Sequence, residues 1–459
     1  VHLGPGAFFR AFYAAYTQET NTASGEAWGI LAISLKSPAA RDRLAPQDGL
    51  FTAMALAPEG PRARVIGAVA GVLVAPEDPA AAVEAMAAPQ IAIVSLTITE
   101  KGYCHDPATG RLNLAHPDIA HDLAAPARPR SAPGMIVAAL AARRARGVAP
   151  FTVLSCDNLP ANGRLLRGVL LDFALARDPA LADWIAAHVP CPSTMVDRIT
   201  PATTEADHAR LREIAGYDDP ALVVHEPFGQ WVVEDDFSAG RPVWELAGAQ
   251  MTGAVGAFET MKLRCLNGTH SALAYLGHLA GHETIAGTVA DPPFAAFCEF
   301  LWTREILPTV PPPEGTDLGA YCDALMARYR NTAIRHRTAQ IATDGSQKLP
   351  QRILGTVRDR LAAGVVPEGL CLAVAGWMRF VDGAGDDLRD PLAEVLRQAL
   401  DGAQTPEDKV RALLRVRAVF CADLAEEPRF RAAVTRAYLR LGETGARAAV
   451  AEVASTGAD

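Results

Sequence analysis

The sequence predicts two domains, an α/β domain built on a parallel sheet over residues 1–246 and a mostly α-helical domain over residues 247–459. Three observations lead there. Short β-rich runs alternate with helical stretches through the first half, as a parallel sheet with crossover helices requires. One of those runs, Ile91 to Ile98, is almost entirely apolar or β-branched, the composition of a strand covered on both faces. From about Ala247 the pattern changes to long segments rich in Ala, Leu and Arg. Their apolar residues recur at helical spacing, as at Leu361, Val365 and Val366 and then Leu370 to Val374.

Taken in order, Val1 to Leu3 reads as the tail of a strand, followed by a glycine turn and a helix from Phe8 to Thr20. The chain opens without Met, and further residues are expected upstream; no signal-peptide pattern stands at its start. Trp28 to Leu35 is read as a second strand, Arg64 to Val74 as a third and Ile91 to Ile98 as a fourth. Met135 to Arg146 is helical, and Phe151 to Ser155 is a strand ending at Cys156-Asp157-Asn158. Asn162 is expected to cap a helix running to about Arg177, since its amide can accept from a free N–H of the first turn. Gln230 to Glu234 closes this half as a strand, and Pro-containing loops such as Pro308 to Gly315 break the helical half.

Half of the residues are hydrophobic and 21% are charged, as in ordinary globular proteins. A net charge of −9 argues against nucleic acid or an anionic membrane as partner. No apolar run approaches the roughly 20 residues that cross a bilayer. The eight cysteines are scattered without a CxxC pair, which predicts free thiols in a reducing cytosol rather than disulfides or zinc. His278 and His282 stand four apart on a helix, but Leu279 occupies the place of the glutamate in HExxH, and a solvated helix face is the reading preferred to a metal.

Gly4-Pro-Gly6-Ala7-Phe8-Phe9 follows a strand and opens a helix, where a dinucleotide fold needs glycines. One glycine makes the tight turn, the next lets the backbone approach a pyrophosphate, and the helix N-terminus offers free N–H groups to the phosphates. Phe9 stands where a third glycine belongs. NAD is the expected cofactor, but no acidic residue ends the second strand to hold its adenosine ribose; Leu35-Lys36-Ser37 lies there, and Lys36 can accept a 2′-phosphate, which leaves NADP open.

The stretch Glu259 to His270 carries the chemistry. On an α-helix Asn267 lies about 140°, His270 about 80° and Glu259 about 60° from Lys262, all on one broad face. Oxidising an alcohol by hydride transfer needs a base for the hydroxyl proton and donors for the oxygen that becomes negative. A lysine of lowered pKa can be the first and asparagine amides the second, without a metal. His270 can orient a hydroxyl or tune the lysine, and Glu259 can pass its proton to water.

Lys262-x4-Asn267-x2-His270 resembles the KxxxxNxxH signature of the polyol-specific long-chain dehydrogenases, the mannitol dehydrogenase family. The resemblance extends to His2 through Arg10, Thr97 through Tyr103, Ser155 through Asn158, Val196 through Arg198, Glu226 through Trp231 and Asp344 through Arg352. It implies a Rossmann-type N-terminal domain and a helical C-terminal domain with substrate in the cleft between them. It implies Lys262 as general acid/base, Asn158 and Asn267 as oxyanion donors, and His270, Asp197 and Lys348 as substrate-holding groups. Glu100 and Glu259 become either proton-path groups or supports behind the substrate-touching residues, and Gly4, Gly6, Ala7, Phe8, Lys36, Thr97 and Thr99 face the cofactor.

The expected partner is a small sugar acid or polyol, with the protein a monomer or homodimer. A uronate such as fructuronate needs a cation for its carboxylate, and the segment from Asn331 to Arg352 is rich in them; Arg337 and Lys348 are the candidates. A neutral ketose such as fructose is the competing substrate. A dinucleotide-binding regulator without catalysis is the reading from another class, and the intact Lys262, Asn267 and His270 count against it.

Overall fold

The central sheet of the N-terminal unit explains where a ligand can sit. Residues 1–107 and 109–456 are described in a computed structural model of the chain. Five parallel strands, β1 (His2–Leu3), β2 (Ile30–Ser34), β5 (Val69–Val74), β6 (Ile93–Leu96) and β7 (Thr152–Ser155), lie in the order β5-β2-β1-β6-β7. The chain runs outward from β1 through β2 to β5 and then returns to the other side with β6 and β7. Strand order therefore reverses beside β1, and the crevice beyond the carboxyl ends of the strands at that point is where open α/β sheets take ligands. All four residues of β6 are buried, as the apolar run requires. This is the Rossmann-type sheet, and the second unit is helical, as the sequence implies.

Several elements differ from the sequence expectation. The helix after the glycine turn is two helices, Ala7–Ala11 and Tyr13–Ser24, broken at Phe12 (φ −123°, ψ −81°). Phe12 is fully buried, its ring 5.7 Å from that of Trp231 and 4.9 Å from Tyr16. Arg64 to Val74 is two strands belonging to different sheets. β4 (Gly60–Ile66) pairs antiparallel with β3 (Phe51–Ala57), and only β5 joins the parallel sheet. The apolar run continues across Gly67-Ala68, so composition alone does not mark the exchange of partner. β3 also pairs with β9 (Val223–His225), and β10 (Gln230–Val233) lies between β8 (Thr194–Asp197) and β11 (Gln250–Met251).

The helix Ala132–Ala145 begins three residues before Met135, because Ser131 caps it by accepting from Gly134 N at 3.0 Å and Pro133 sits in its first turn. Asn162, in contrast, is not a cap. Ala161, in the left-handed region at φ 46°, precedes the helix Asn162–Arg177, and Asn162 is its first residue. Its buried amide instead ties the end of β7 to β8: Nδ2 donates to Asp157 O and Thr194 O, both at 3.0 Å, and Oδ1 accepts from Thr194 N at 2.9 Å. An Asn suited to a cap is equally suited to bridging two strands, and the tertiary partner decides.

Chain contacts divide the protein into Val1–Gly256 and Ala257–Asp459. In the second unit the helix Glu368–Ala384 is buried along most of its length, from Gly369 to Met378 and again at Val381. Its first N–H groups, of Gly369 and Leu370, donate to the buried Glu305 carboxylate at 2.8 Å each. Burial pushes that carboxyl up to about 7 despite the two hydrogen bonds. Among the described residues no helix is long and apolar enough to cross a membrane, and all eight cysteines are free thiols.

Candidate active site

The glycine turn has the shape a dinucleotide needs. Gly4 takes φ +90°, and a Cβ there would come within 2.3 Å of Thr97 O, so only glycine fits. Gly4 N donates to Ile33 O at 3.0 Å and Gly6 N to Gly4 O at 2.7 Å, which closes the turn. Around Gly6 the nearest atom to an added Cβ is 4.0 Å away, leaving its backbone open to a phosphate. Ala7 and Phe8 follow as the first helical residues, where N–H groups lack intrahelical acceptors. Thr97 braces the turn: its hydroxyl donates to Gly4 O at 2.8 Å and pairs with His2 Nε2 at 2.9 Å.

A cavity of about 850 Å³ in the same unit is lined by Leu35, Lys36, Lys101, Arg128 and Arg130, among others. Lys36 is exposed at its rim, just beyond β2. Among the described lining residues Asp118 is the one carboxylate, and none comes from β2 or the residues that follow it. The open glycine turn suits a dinucleotide's pyrophosphate, and the cavity gathers Lys36, Lys101, Arg128 and Arg130 elsewhere in the same unit.

At the carboxyl ends of β6 and β7 one carboxylate organises two loops. Asp157 accepts from Ile98 N at 2.9 Å, Thr99 N at 3.0 Å and Tyr103 Oη at 2.8 Å. Burial raises its pKa against those bonds. They hold Thr99 in the left-handed region at φ 64°, directly before the turn Glu100–Tyr103. Asn158 follows, exposed to solvent; Glu100 is half-buried and Asp197 is buried at the end of β8.

The lysine helix departs from the α geometry assumed from sequence. Val255–Met261 is α-helical, Lys262–Gly268 is a π-helix, and Thr269–Leu279 returns to α. In a π segment hydrogen bonds span five residues, so Asn267 stands close to one turn above Lys262 instead of well round the helix. His270 follows Asn267 by one α-turn, and the three side chains form a row. Glu259, half-buried, lies one turn before.

Widening the helix changes its hydrogen bonding, and neighbours take up two carbonyls. Leu266 O accepts from Tyr329 Oη at 2.8 Å, and Cys265 O accepts from Trp302 Nε1 at 2.9 Å. Gly268 is required because a second π segment, Pro350–Leu354, packs on it; a Cβ there would lie 2.8 Å from Arg352 O.

The row is buried: Lys262, Asn267 and His270 are 6%, 7% and 9% exposed. Asn267 Nδ2 and His270 Nε2 are buried without a hydrogen-bond partner. Such atoms are costly unless something fills them, and in a polar recess the natural occupant is a ligand oxygen. The His270 ring stacks on Tyr329 at 5.6 Å and meets the His336 ring at 4.6 Å. Burial first, then His336, Arg352, Arg328 and Lys348, hold His270 well below the ordinary imidazole range, so it is neutral at pH 7. Burial likewise lowers His336 to about 4 and Lys348 to about 8. Lys348 Nζ donates to Ile341 O at 3.1 Å and Thr343 O at 2.6 Å.

Arg337 is not brought into this group. Its side chain is 62% exposed, with Nε 3.9 Å from Glu283, and the preceding residue, His336, is the one facing His270. Sequence reading gave no role to Tyr329, His336 or Arg352. Arg352 lay inside the quoted Asp344 to Arg352 segment, but only the packing of two π segments shows it facing inward. Of the two histidines weighed for a metal, His278 sits edge-on to Phe380 at 5.3 Å and His282 lies 3.4 Å from Asp291.

Residues 1–246 match the mannitol dehydrogenase Rossmann domain, and residues 254–442 match the mannitol dehydrogenase C-terminal domain. The chain belongs to the mannitol dehydrogenase family. Like the family's other members it is an oxidoreductase of the alcohol-dehydrogenase type. The D-mannonate oxidoreductase of Escherichia coli strain K12 is 46% identical over 461 residues, covering 98% of this chain and 94% of that protein. A mannitol 2-dehydrogenase of Cereibacter sphaeroides is also 46% identical, over 390 residues, with 84% of this chain and 81% of that protein covered. The structure of Pseudomonas fluorescens mannitol 2-dehydrogenase, a ternary complex with NAD and D-mannitol, aligns with a TM-score of 0.88 at 40% identity, over 99% of this chain and 94% of that one. Equal identity to family members named for an acid and for a neutral polyol leaves the substrate to the chemistry of the site.

Proposed function

We propose that the protein interconverts a secondary alcohol and a ketone on a sugar acid, with fructuronate and D-mannonate as the pair, using NAD. The observation that carries the reading is the buried row of Lys262, Asn267 and His270, with two unpartnered polar atoms, set among the cations Arg328, Lys348 and Arg352. An anionic substrate is attracted there, whereas a neutral ketose gains nothing from the charge.

Held at the glycine turn, a dinucleotide would supply or accept the hydride. Gly4 and Gly6 shape that turn, Ala7 and Phe8 present N–H groups, and Lys36 stands at the adenosine end. In oxidation Lys262 Nζ takes the hydroxyl proton; in reduction it returns that proton to the carbonyl oxygen. Asn267 Nδ2 donates to the same oxygen as negative charge develops. Neutral His270 directs Nε2 at a neighbouring hydroxyl. Asn158 is assigned the second amide donor, Asp197 and Lys348 hydroxyl contacts, and Glu259 and Glu100 the passage of the proton to water. Eight free thiols suit a reducing cytosol, and a monomer or homodimer suffices for this chemistry.

The test is NADH oxidation with D-fructuronate and D-fructose offered separately, on the wild type and on Lys262→Ala. Wild-type turnover should favour fructuronate. Lys262→Ala should lose about 10²- to 10⁴-fold in kcat while NADH still quenches or enhances fluorescence as before. Preference for fructose would move the protein to the neutral-polyol reading, and full turnover by the variant would remove Lys262 as the base.

A further inference from the structure

We propose that Arg352 is the residue that binds the substrate's carboxylate and sets the preference for a sugar acid over a neutral ketose. The inference rests on the sugar-acid reading above and names the group responsible for it.

Arg352 belongs to the π segment Pro350–Leu354, whose backbone lies against Gly268 in the π segment that carries Lys262 and Asn267. Its side chain is half-buried, and Nη1 donates to Ser271 Oγ at 3.2 Å. Ser271 directly follows His270, and the Arg352 charge is felt at His270 itself, so the guanidinium stands beside the row. Among the described residues no carboxylate pairs with Arg352; the phenols of Tyr275 and Tyr329 lie near it, while Asp344 and Asp390 act on its neighbours Lys348 and Tyr275. Elsewhere in this unit arginines do find acids, as Arg264 does with Asp359 at 2.6 Å and Arg447 with Asp291 at 2.8 Å.

The half-buried guanidinium has five donors, and Ser271 takes up only one of them. A planar anion suits the others, because a carboxylate accepts two parallel N–H bonds from the guanidinium fork. Lys348 is less suited to that task. Two of its three donors are already spent on Ile341 O and Thr343 O, so it has one left for a substrate oxygen. Arg337 points into solvent. Arg328 adds positive field at His270, which reinforces the attraction of an anion to this place.

The experiment measures kcat and KM of the full chain with fructuronate and with fructose for wild type, Arg352→Gln and Arg352→Lys. D-mannonate binding is followed in parallel by calorimetry. In Arg352→Gln the KM for fructuronate should rise about 100-fold with a smaller change in kcat, and the fructuronate-to-fructose ratio of kcat/KM should fall by a similar factor. Arg352→Lys keeps the charge without the fork and should fall between. If Arg352→Gln does not fold, Arg352→Lys together with Ser271→Ala carries the test: both should weaken D-mannonate binding and lower the same ratio. Fructuronate turnover in the wild type with an unchanged ratio in the variants overturns the role of Arg352 alone and leaves the sugar-acid reading intact. Wild-type preference for fructose overturns both.

Discussion

At the scale of single residues, the proposed site puts polar groups where water does not satisfy them. Asn267 Nδ2 and His270 Nε2 are buried and unpartnered, and Lys348 has its ammonium desolvated. Burial first, and the neighbouring Arg352 second, bring Lys348 to about 8. Below pH 8 it is charged; as pH rises through 8 the folded protein sheds a proton that the unfolded chain keeps to about 10.4. The sign follows: between those values folding gains stability from this group with rising pH, while its charge in the site disappears. As Lys348 loses its charge beside the bound anion, the KM for a sugar acid should rise from pH 8 upward. Steady-state kinetics at pH 7 to 9.5 check this, and a flat KM would show that the Lys348 charge does not contribute to holding the acid. The residue types of the row were legible in the sequence. That Arg352 faces inward and Arg337 outward was not, since fifteen residues apart on a chain says nothing about which side of a helix a neighbour covers.

At the scale of elements, the π segment Lys262–Gly268 and the carboxylate cap on the helix Glu368–Ala384 are the two devices that matter. The first aligns Lys262 with Asn267, an alignment that α periodicity places about 140° apart. A single sequence carries no mark of a π turn; Tyr329, Trp302 and Gly268, all tertiary partners, make it affordable. The second device titrates. Glu305 is pushed up to about 7 by burial, so the folded protein holds a proton there that the unfolded chain releases near 4.5. Its contribution to stability is full below pH 4.5 and is lost as pH rises through 7, a change of order ~3 kcal/mol. Glu305→Gln should flatten that part of the pH–stability curve in urea unfolding at pH 5 and pH 8. An unaltered pH dependence would show that the carboxyl is not the group responsible.

For the whole molecule, ligand binding and stability are linked. If the glycine turn at Gly4 and Gly6 and the cavity beside Lys36 hold the dinucleotide, free NADH at a hundred times its Kd should stabilise the folded state by ~2.7 kcal/mol and raise the thermal midpoint. Because Lys262 is assigned the proton transfer, prior dialysis against EDTA should change neither this shift nor the rate. Absence of the shift would place the nucleotide elsewhere, and loss of rate restored by zinc would replace the lysine mechanism.

What the sequence determined by itself was the order of operations along the chain: a strand, a glycine turn and a helix first, then alternating β and α, then a helical half carrying Lys262, Asn267 and His270. These follow from local rules, since apolar periodicity, glycine at a required φ and residue chemistry are all written within a few positions of one another. Tertiary structure alone decided the rest. It split Arg64 to Val74 between two sheets, turned Asn162 from cap to tie, opened a helix into a π turn and left Arg352 half-buried without an acid. Each of these depends on a partner more than thirty residues distant in at least one contact, or on the packing of separate segments. Burial, which sets the cost of an unpaired charge, exists only once that packing has formed.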